Sequence, residues 1–409
     1  MRYPRIATLL FFSCAGAFLS GCHNEDADPI EPQAILTLQV DAGYGVGNDK
    51  WVFASDENGE VLDVQPYEDG QTVTLMSDKH PAKINVTLFE YGPLASVNTL
   101  LAFRSWGDVA SGTTFHLKAP KSPTNNPERA NASLNITNFN ITMSQLGLSY
   151  GLGIVGYSGT LALGHLEMDL SYFGAPSDIL LYAWQSGVPK YYMAPAVKAN
   201  DQIDLDFMTD FTPFPHPFKL DFAGSNSAVI EGYDAKKSQT ITLLDTYYNY
   251  GNTGSDHPVI GYLDGYDSYN MRVSNYQANG YNTTYHKKGA INFSFDMPAY
   301  TFSVTDRSVK NFTYTFSHHY TFSGAFWQHI DDKEYTWWTV YAPSGYTAKG
   351  LSIPSQILAK YPQLDVNKLE FGYMSFYDNI KGRSYVETFP GATIATSEDT
   401  AEDYTYTVK

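Results

Sequence analysis

The chain predicts an all-β fold, built as several sandwich modules in tandem with one short helix near the C-terminus. Three observations carry that expectation. The 409 residues contain 32 Tyr, 24 Phe and 6 Trp, and aromatic and β-branched residues suit the pleated, half-buried surface of a sheet. Apolar residues alternate with polar ones in many short runs, the period of a strand with one buried face. Turn residues punctuate those runs at close intervals.

The elements follow in chain order. Residues 1–21 read as a signal peptide. Arg2 and Arg5 precede an apolar run from Ile6 to Leu19, shorter than the roughly 20 residues that span a bilayer. Residues 22–33 form an acidic tether containing Glu25, Asp26 and Asp28. Residues 34–118 read as a small β-sandwich of about seven strands. Within it Leu36, Leu38 and Val40 alternate, and Asp56-Glu57-Asn58-Gly59 marks a hairpin, since Asn and Gly tolerate positive φ. Residues 119–131, with Pro120, Pro123 and Pro127 and no apolar period, are the expected linker.

A second sandwich is expected over 132–232. There Ile179 to Trp184 is a continuous apolar run, the mark of a strand buried on both faces. Residues 233–409 form an aromatic-rich β-domain. Its strongest pattern is Phe312, Tyr314, Phe316, His318, Tyr320 and Phe322 on one face, predicting one strand from Asn311 to Ser323. Ile291 to Val304 is its expected partner through Asp306-Arg307-Ser308. Ser352 to Tyr361, with Pro354 near its start, predicts the short helix.

The first segment ends in Leu19-Ser20-Gly21-Cys22. Charge, apolar run and motif in this order resemble the lipobox signal of bacterial lipoproteins. The resemblance implies that Cys22 becomes the acylated first residue of the mature chain, carrying palmitate-type lipid. The acidic run behind it resembles an export tag of surface-exposed lipoproteins of Gram-negative bacteria. Outer-membrane anchoring facing the cell exterior is then implied, with the periplasmic face as the alternative. The stretch Val52 to Gly59, followed by Gly70 and Leu75, is similar to transthyretin-like or immunoglobulin-like domains, which are usually spacers or binders.

Composition narrows the partners. The other cysteine, Cys14, leaves with the signal peptide, so the mature chain holds no disulfide. The formal charge is −17, which argues against nucleic acid and leaves the membrane, through lipid, and a glycan or surface protein. No GxSxG, HExxH or Walker-type loop occurs, so no catalytic residue is assigned and no cofactor is expected. Asp264, Asp267 and Asn270, around Gly265, suit a calcium loop by ligand type, although a plain Asp/Gly/Asn turn explains them more simply.

Aromatic side chains carry the binding expectation. Tyr262, Tyr266 and Tyr269 sit among Gly, Asp and Asn in an apparent loop region, where Tyr offers a flat apolar face with a polar rim. In the strand Tyr335 to Tyr341, period two puts Tyr335, Trp337 and Tyr341 on one face and Trp338 with Val340 on the other. Trp338 is expected in the core, and Tyr335, Trp337 and Tyr341 on a partly exposed platform. The function expected is a surface-anchored, non-catalytic binding lipoprotein that captures carbohydrate or glycoconjugate. A structural or adhesive protein-binding stalk is the alternative. A glycoside hydrolase with an unrecognised carboxylate pair is the second.

Overall fold

The computed structural model describes residues 31–45, 48–94, 97–120, 128–142, 146–151, 153–154, 156–236, 239–246, 257–291, 294–347, 349–392 and 400–409. Among them the chain is built almost wholly of strands, with one α-helix, Ser355–Lys360, near the C-terminus. Cys22, the tether up to residue 30, and the central prolines of the expected linker lie outside the described residues.

Two sandwiches form where alternation predicts buried faces. In the first, a three-stranded sheet (Gln33–Val40, Thr72–Ser77, Thr113–Leu117) covers the strands Asp49–Ser55, Lys83–Leu94 and Val97–Ala110. Its core includes Leu36, Leu38, Val52, Val86, Leu88 and Phe115. The hairpin at Asp56–Gly59 is present, with Gly59 at φ +84°. A Cβ at Gly59 would come within 2.0 Å of the Gly350 carbonyl oxygen, so glycine is required by conformation and by contact.

In the second, a four-stranded sheet (Gly156–Ala162, His165–Phe173, Arg129–Thr137, Gln202–Asp206) faces a five-stranded one centred on Ser177–Gln185. Ile179, Leu181 and Ala183 enter the core of this sandwich, while Leu180, Tyr182 and Trp184 enter the large core on the other side. That double burial is why Ile179 to Trp184 is continuously apolar.

The organising element is a twelve-stranded sheet that no local pattern announces. It begins with Val61–Tyr67, Asp49–Ser55, Lys83–Leu94 and Val97–Ala110 and passes through Glu334–Pro343, Phe322–Ile330, Glu370–Lys381, Ala401–Val408, Asn282–Gly289, Ser268–Tyr276 and Ser225–Asp234 to Gln239–Asp245. The junction is a parallel pairing of Val97–Ala110 with Glu334–Pro343, Trp337 beside Ala102 and Trp338 beside Phe103. Ser225–Asp234 therefore runs across the boundary expected at 232, and Arg129–Thr137 starts inside the expected linker.

The strand predicted over Asn311 to Ser323 is not one strand. Thr313–Phe316 pairs with Phe302–Asp306, the chain leaves the extended ladder, and a second strand starts at Phe322. The alternation survives because the aromatic residues share one floor: Phe316 stacks on Phe376 at 3.8 Å, and Phe312 on Phe371 at 5.2 Å. Alternation reports a shared buried side, not an unbroken ladder. The break also lets the neighbours His318 and His319 turn toward the same carboxylate, Asp378, at 3.8 and 3.0 Å, whereas a continuous strand would point them to opposite faces.

Candidate functional site: the open face of the large sheet

One face of the twelve-stranded sheet is buried along its length. Phe53, Phe103, Trp338, Trp327, Phe376, Tyr406, Tyr285, Val273 and Ile230 belong to one core. The hairpin Phe302–Phe316, the helix and the five-stranded sheet pack over it.

The opposite face is covered over the first sandwich and, next to it, where Tyr385 packs on Phe322 and donates to the Tyr341 carbonyl. From Glu334–Pro343 onward most of its side chains are half-buried or exposed, while Phe322, Ser375 and Ser227 are buried. The strand phase places Trp338 at 0% and Val340 at 7% exposure, with Tyr335, Trp337 and Tyr341 half-buried on the other side. Register then adds neighbours. Gln328 lies beside Trp337, and Phe326 lies beside Thr339 and Tyr373. The Phe326 and Trp337 rings are 6.4 Å apart, and Phe326 stacks on Tyr373 at 5.0 Å. The Tyr335 hydroxyl donates to Gln328 Oε1 at 3.2 Å. Gly372 leaves room here, since a Cβ would come within 3.0 Å of the Phe326 ring and press it aside by a few tenths of an ångström.

Charge enters from the next strand. The Arg104 guanidinium lies 5.5 Å from the Trp337 ring, within cation–π range. Beside it the Tyr44 hydroxyl donates to Glu90 at 3.1 Å, and burial with Glu90 nearby pushes that phenol up to about 12. Tyr67 is 2% exposed, its hydroxyl has no hydrogen-bond partner among the described residues, and burial raises its pKa too. Tyr341 stacks against Trp106 at 6.0 Å, which ties the platform to the rim of the first core.

Away from this aromatic end the face becomes polar. Ser375 meets Thr407 at 3.2 Å and Ser274 meets Thr284 at 2.8 Å. A chain of contacts then crosses four strands. Asn270 Nδ2 donates to Glu231 at 2.6 Å, Asn270 Oδ1 meets His286 Nε2 at 2.7 Å, and His286 Nδ1 meets Asp403 at 2.8 Å. The face thus runs from flat rings to a field of hydroxyls, amides and carboxylates.

Tyr262, Tyr266 and Tyr269 form a separate group, at the end of the covered face. Tyr262 and Tyr266 meet Tyr269 edge-on at 5.5 and 6.0 Å. Tyr269 donates to the Leu263 carbonyl at 3.0 Å. Tyr266 seats over Gly232, where a Cβ would clash at 2.5 Å, and borders a cleft of about 500 Å³ with Asp178, Tyr191, Met193 and Asp264. Burial, with Asp178 nearby, moves the Tyr266 phenol up to about 12.

The calcium triplet is dispersed. Asp264 pairs with His216 at 2.7 Å, Asp267 accepts from the Ala235 amide at 2.7 Å, and Asn270 serves the cross-strand chain. Among the described residues no group of three or more His, Cys, Asp or Glu is placed to hold a metal. Two exposed acids, Asp204 and Asp331, have local partners. Asp204 accepts from Gln202 and Asn135, which hold it below the usual carboxylate range. Asp331 accepts from the Lys333 and Glu334 amides, with the same effect.

Fold and site together define an all-β protein with an open, aromatic-to-polar sheet face. No protein-family model matches the chain, and no curated protein matches it. A solved structure described as "Ca2+-stabilized adhesin helps an Antarctic bacterium reach out and bind ice" aligns over 91% of this chain and 98% of that one, at 9% identity and a TM-score of 0.12. A score at that level carries no argument about fold or function.

Proposed function

We propose that the chain is a surface-anchored binding lipoprotein that holds carbohydrate or glycoconjugate on the open sheet face around Trp337. The observation that carries this reading is the convergence of Trp337, Phe326, Tyr373 and Tyr335 on a solvent-reached face, with Arg104 over the indole. Sugar rings present apolar C–H faces that sit on flat rings and hydroxyls that pair with rim groups such as Gln328 and Glu90. Ring-rich binding surfaces gain area at low entropic cost because Trp and Tyr have few rotatable bonds. Acylation of Cys22 would supply the anchor, and several acyl chains at about 0.8 kcal/mol per buried CH₂ hold firmly.

Titration calorimetry with hits from a glycan array tests the site. Trp337→Ala should weaken binding by about 1–3 kcal/mol, the range for bases stacked on aromatic residues. Undiminished binding by that variant excludes the platform. The anchor is tested separately. Cys22→Ala should release the chain from the membrane fraction, and unchanged partitioning refutes lipidation.

A further inference from the structure

Sheet edges expose unpaired backbone groups, and proteins protect them with brevity, proline, charge or a covering element. Most described edges of the larger sheets here carry such a device. Val61–Tyr67 carries Asp63 and Pro66, and Asp63 also accepts from the Met76 amide at 2.9 Å. At Gln239–Asp245 the Ser149 hydroxyl donates to the Thr242 carbonyl. Thr113–Leu117 is met by Pro390, whose carbonyl accepts from the His116 amide at 2.9 Å. The five-stranded sheet ends in two-residue strands, Gly153–Ile154 and Thr212–Pro213. The four-stranded sheet ends on one side in Gln202–Asp206, with Asp204 and Asp206.

Its other edge has none of these devices. Gly156–Ala162 reads Gly-Tyr-Ser-Gly-Thr-Leu-Ala, without charge or proline, and all seven residues are exposed. Its inner side pairs in register with His165 to Ser171. Tyr157 and Leu161 lie beside Leu170 and Leu166, which are core residues, so they extend the apolar side of the sheet past the end of its cover. They are 42% and 38% exposed, and Leu163 just beyond is fully exposed.

We propose that Gly156–Ala162 pairs antiparallel with the same strand of a second copy of this chain. The strand is complementary to itself. A two-fold centred on Gly159 sets Tyr157 against Leu161 of the other copy and Ser158 against Thr160, an apolar pair on one side and a hydroxyl pair on the other. Aromatic–aliphatic and hydroxyl cross-strand pairs both stabilise antiparallel ladders. The contact is also neutral on a chain of formal charge −17, where most surfaces of two copies would repel. The symmetry is isologous and closes at two copies.

Sedimentation velocity of the purified chain across a concentration series tests the pairing. The wild type should show reversible dimers. Tyr157→Lys with Leu161→Lys sets like charges opposite each other and should weaken association at least tenfold, with the thermal transition unchanged as the control for folding. Tyr157→Lys with Leu161→Glu sets opposite charges in the same register and should restore the dimer. A wild type that stays monomeric at every concentration overturns the proposal, as does association indifferent to the double lysine change. A lysine–glutamate variant as weak as the double lysine one overturns the register and the two-fold with it.

Discussion

The two faces of the twelve-stranded sheet part company at adjacent residues, Trp337 and Trp338. Trp338 is fully buried, stacks on Phe103 at 4.7 Å and donates to the Ser105 hydroxyl at 2.8 Å. Trp337 is half-buried, with Phe326 and Arg104 beside its ring. The same side-chain type thus serves packing on one side, where the indole N–H finds an internal acceptor. On the other side it lies against a surface that the fold does not cover. Burial by a second layer, rather than residue type, separates core from site.

The largest expected effect is on the covered side. Trp338→Ala should cost about 3–5 kcal/mol in denaturant unfolding, as a truncation in a packed core. A loss comparable to that of an exposed residue would mean that the face is not closed.

The covered part of the other face supplies the next effect. Lys50 is buried at 4% exposure and holds Asp69 at 2.5 Å, and the Gly45 amide also donates to Asp69 at 3.2 Å. The hydrogen bond from Lys50 leads in lowering the Asp69 pKa. A depressed carboxylate stabilises the fold above its unfolded pKa, and that contribution is lost as pH falls through its folded value. Asp69→Asn should destabilise by about 2–3 kcal/mol at neutral pH by leaving the buried ammonium, which keeps the Gly45 carbonyl at 2.6 Å, without its counter-charge. It should also flatten the acid limb of a stability–pH profile below about pH 4. An unchanged acid limb would remove Asp69 from the balance.

On the open side the effects move from stability to binding. Trp337→Ala should change unfolding free energy by less than about 1.5 kcal/mol while lowering glycan affinity as stated above. Arg104→Ala is smaller still, about 0.5–1 kcal/mol in affinity for an exposed cation over an indole. It should leave the melting temperature in place. If the alanine at 104 costs more than the one at 337, charge rather than ring stacking governs the face.

Much of this contrast is legible in the sequence, because it is local. Period two over Tyr335 to Tyr341 separates Trp337 from Trp338. Turn chemistry places the hairpin at Gly59, and Pro354 marks the entry to the helix. What surrounds Trp337 is not legible. Arg104 reaches it through a parallel pairing between strands more than two hundred residues apart, and Phe326 and Tyr373 through register. No signal in either segment specifies its partner. The tyrosines at 262, 266 and 269 show the converse limit. Aromatic density marks them as notable, but only the fold separates them from the platform, and only strand breaks explain His318 and His319 meeting at Asp378.

Oxidative footprinting of the two tryptophans, with and without a bound glycan, tests the central claim most directly. The account predicts that Trp337 is modified in the free protein and protected when ligand is bound, while Trp338 stays unmodified in both states. Equal labelling of Trp337 with and without saturating ligand would contradict it.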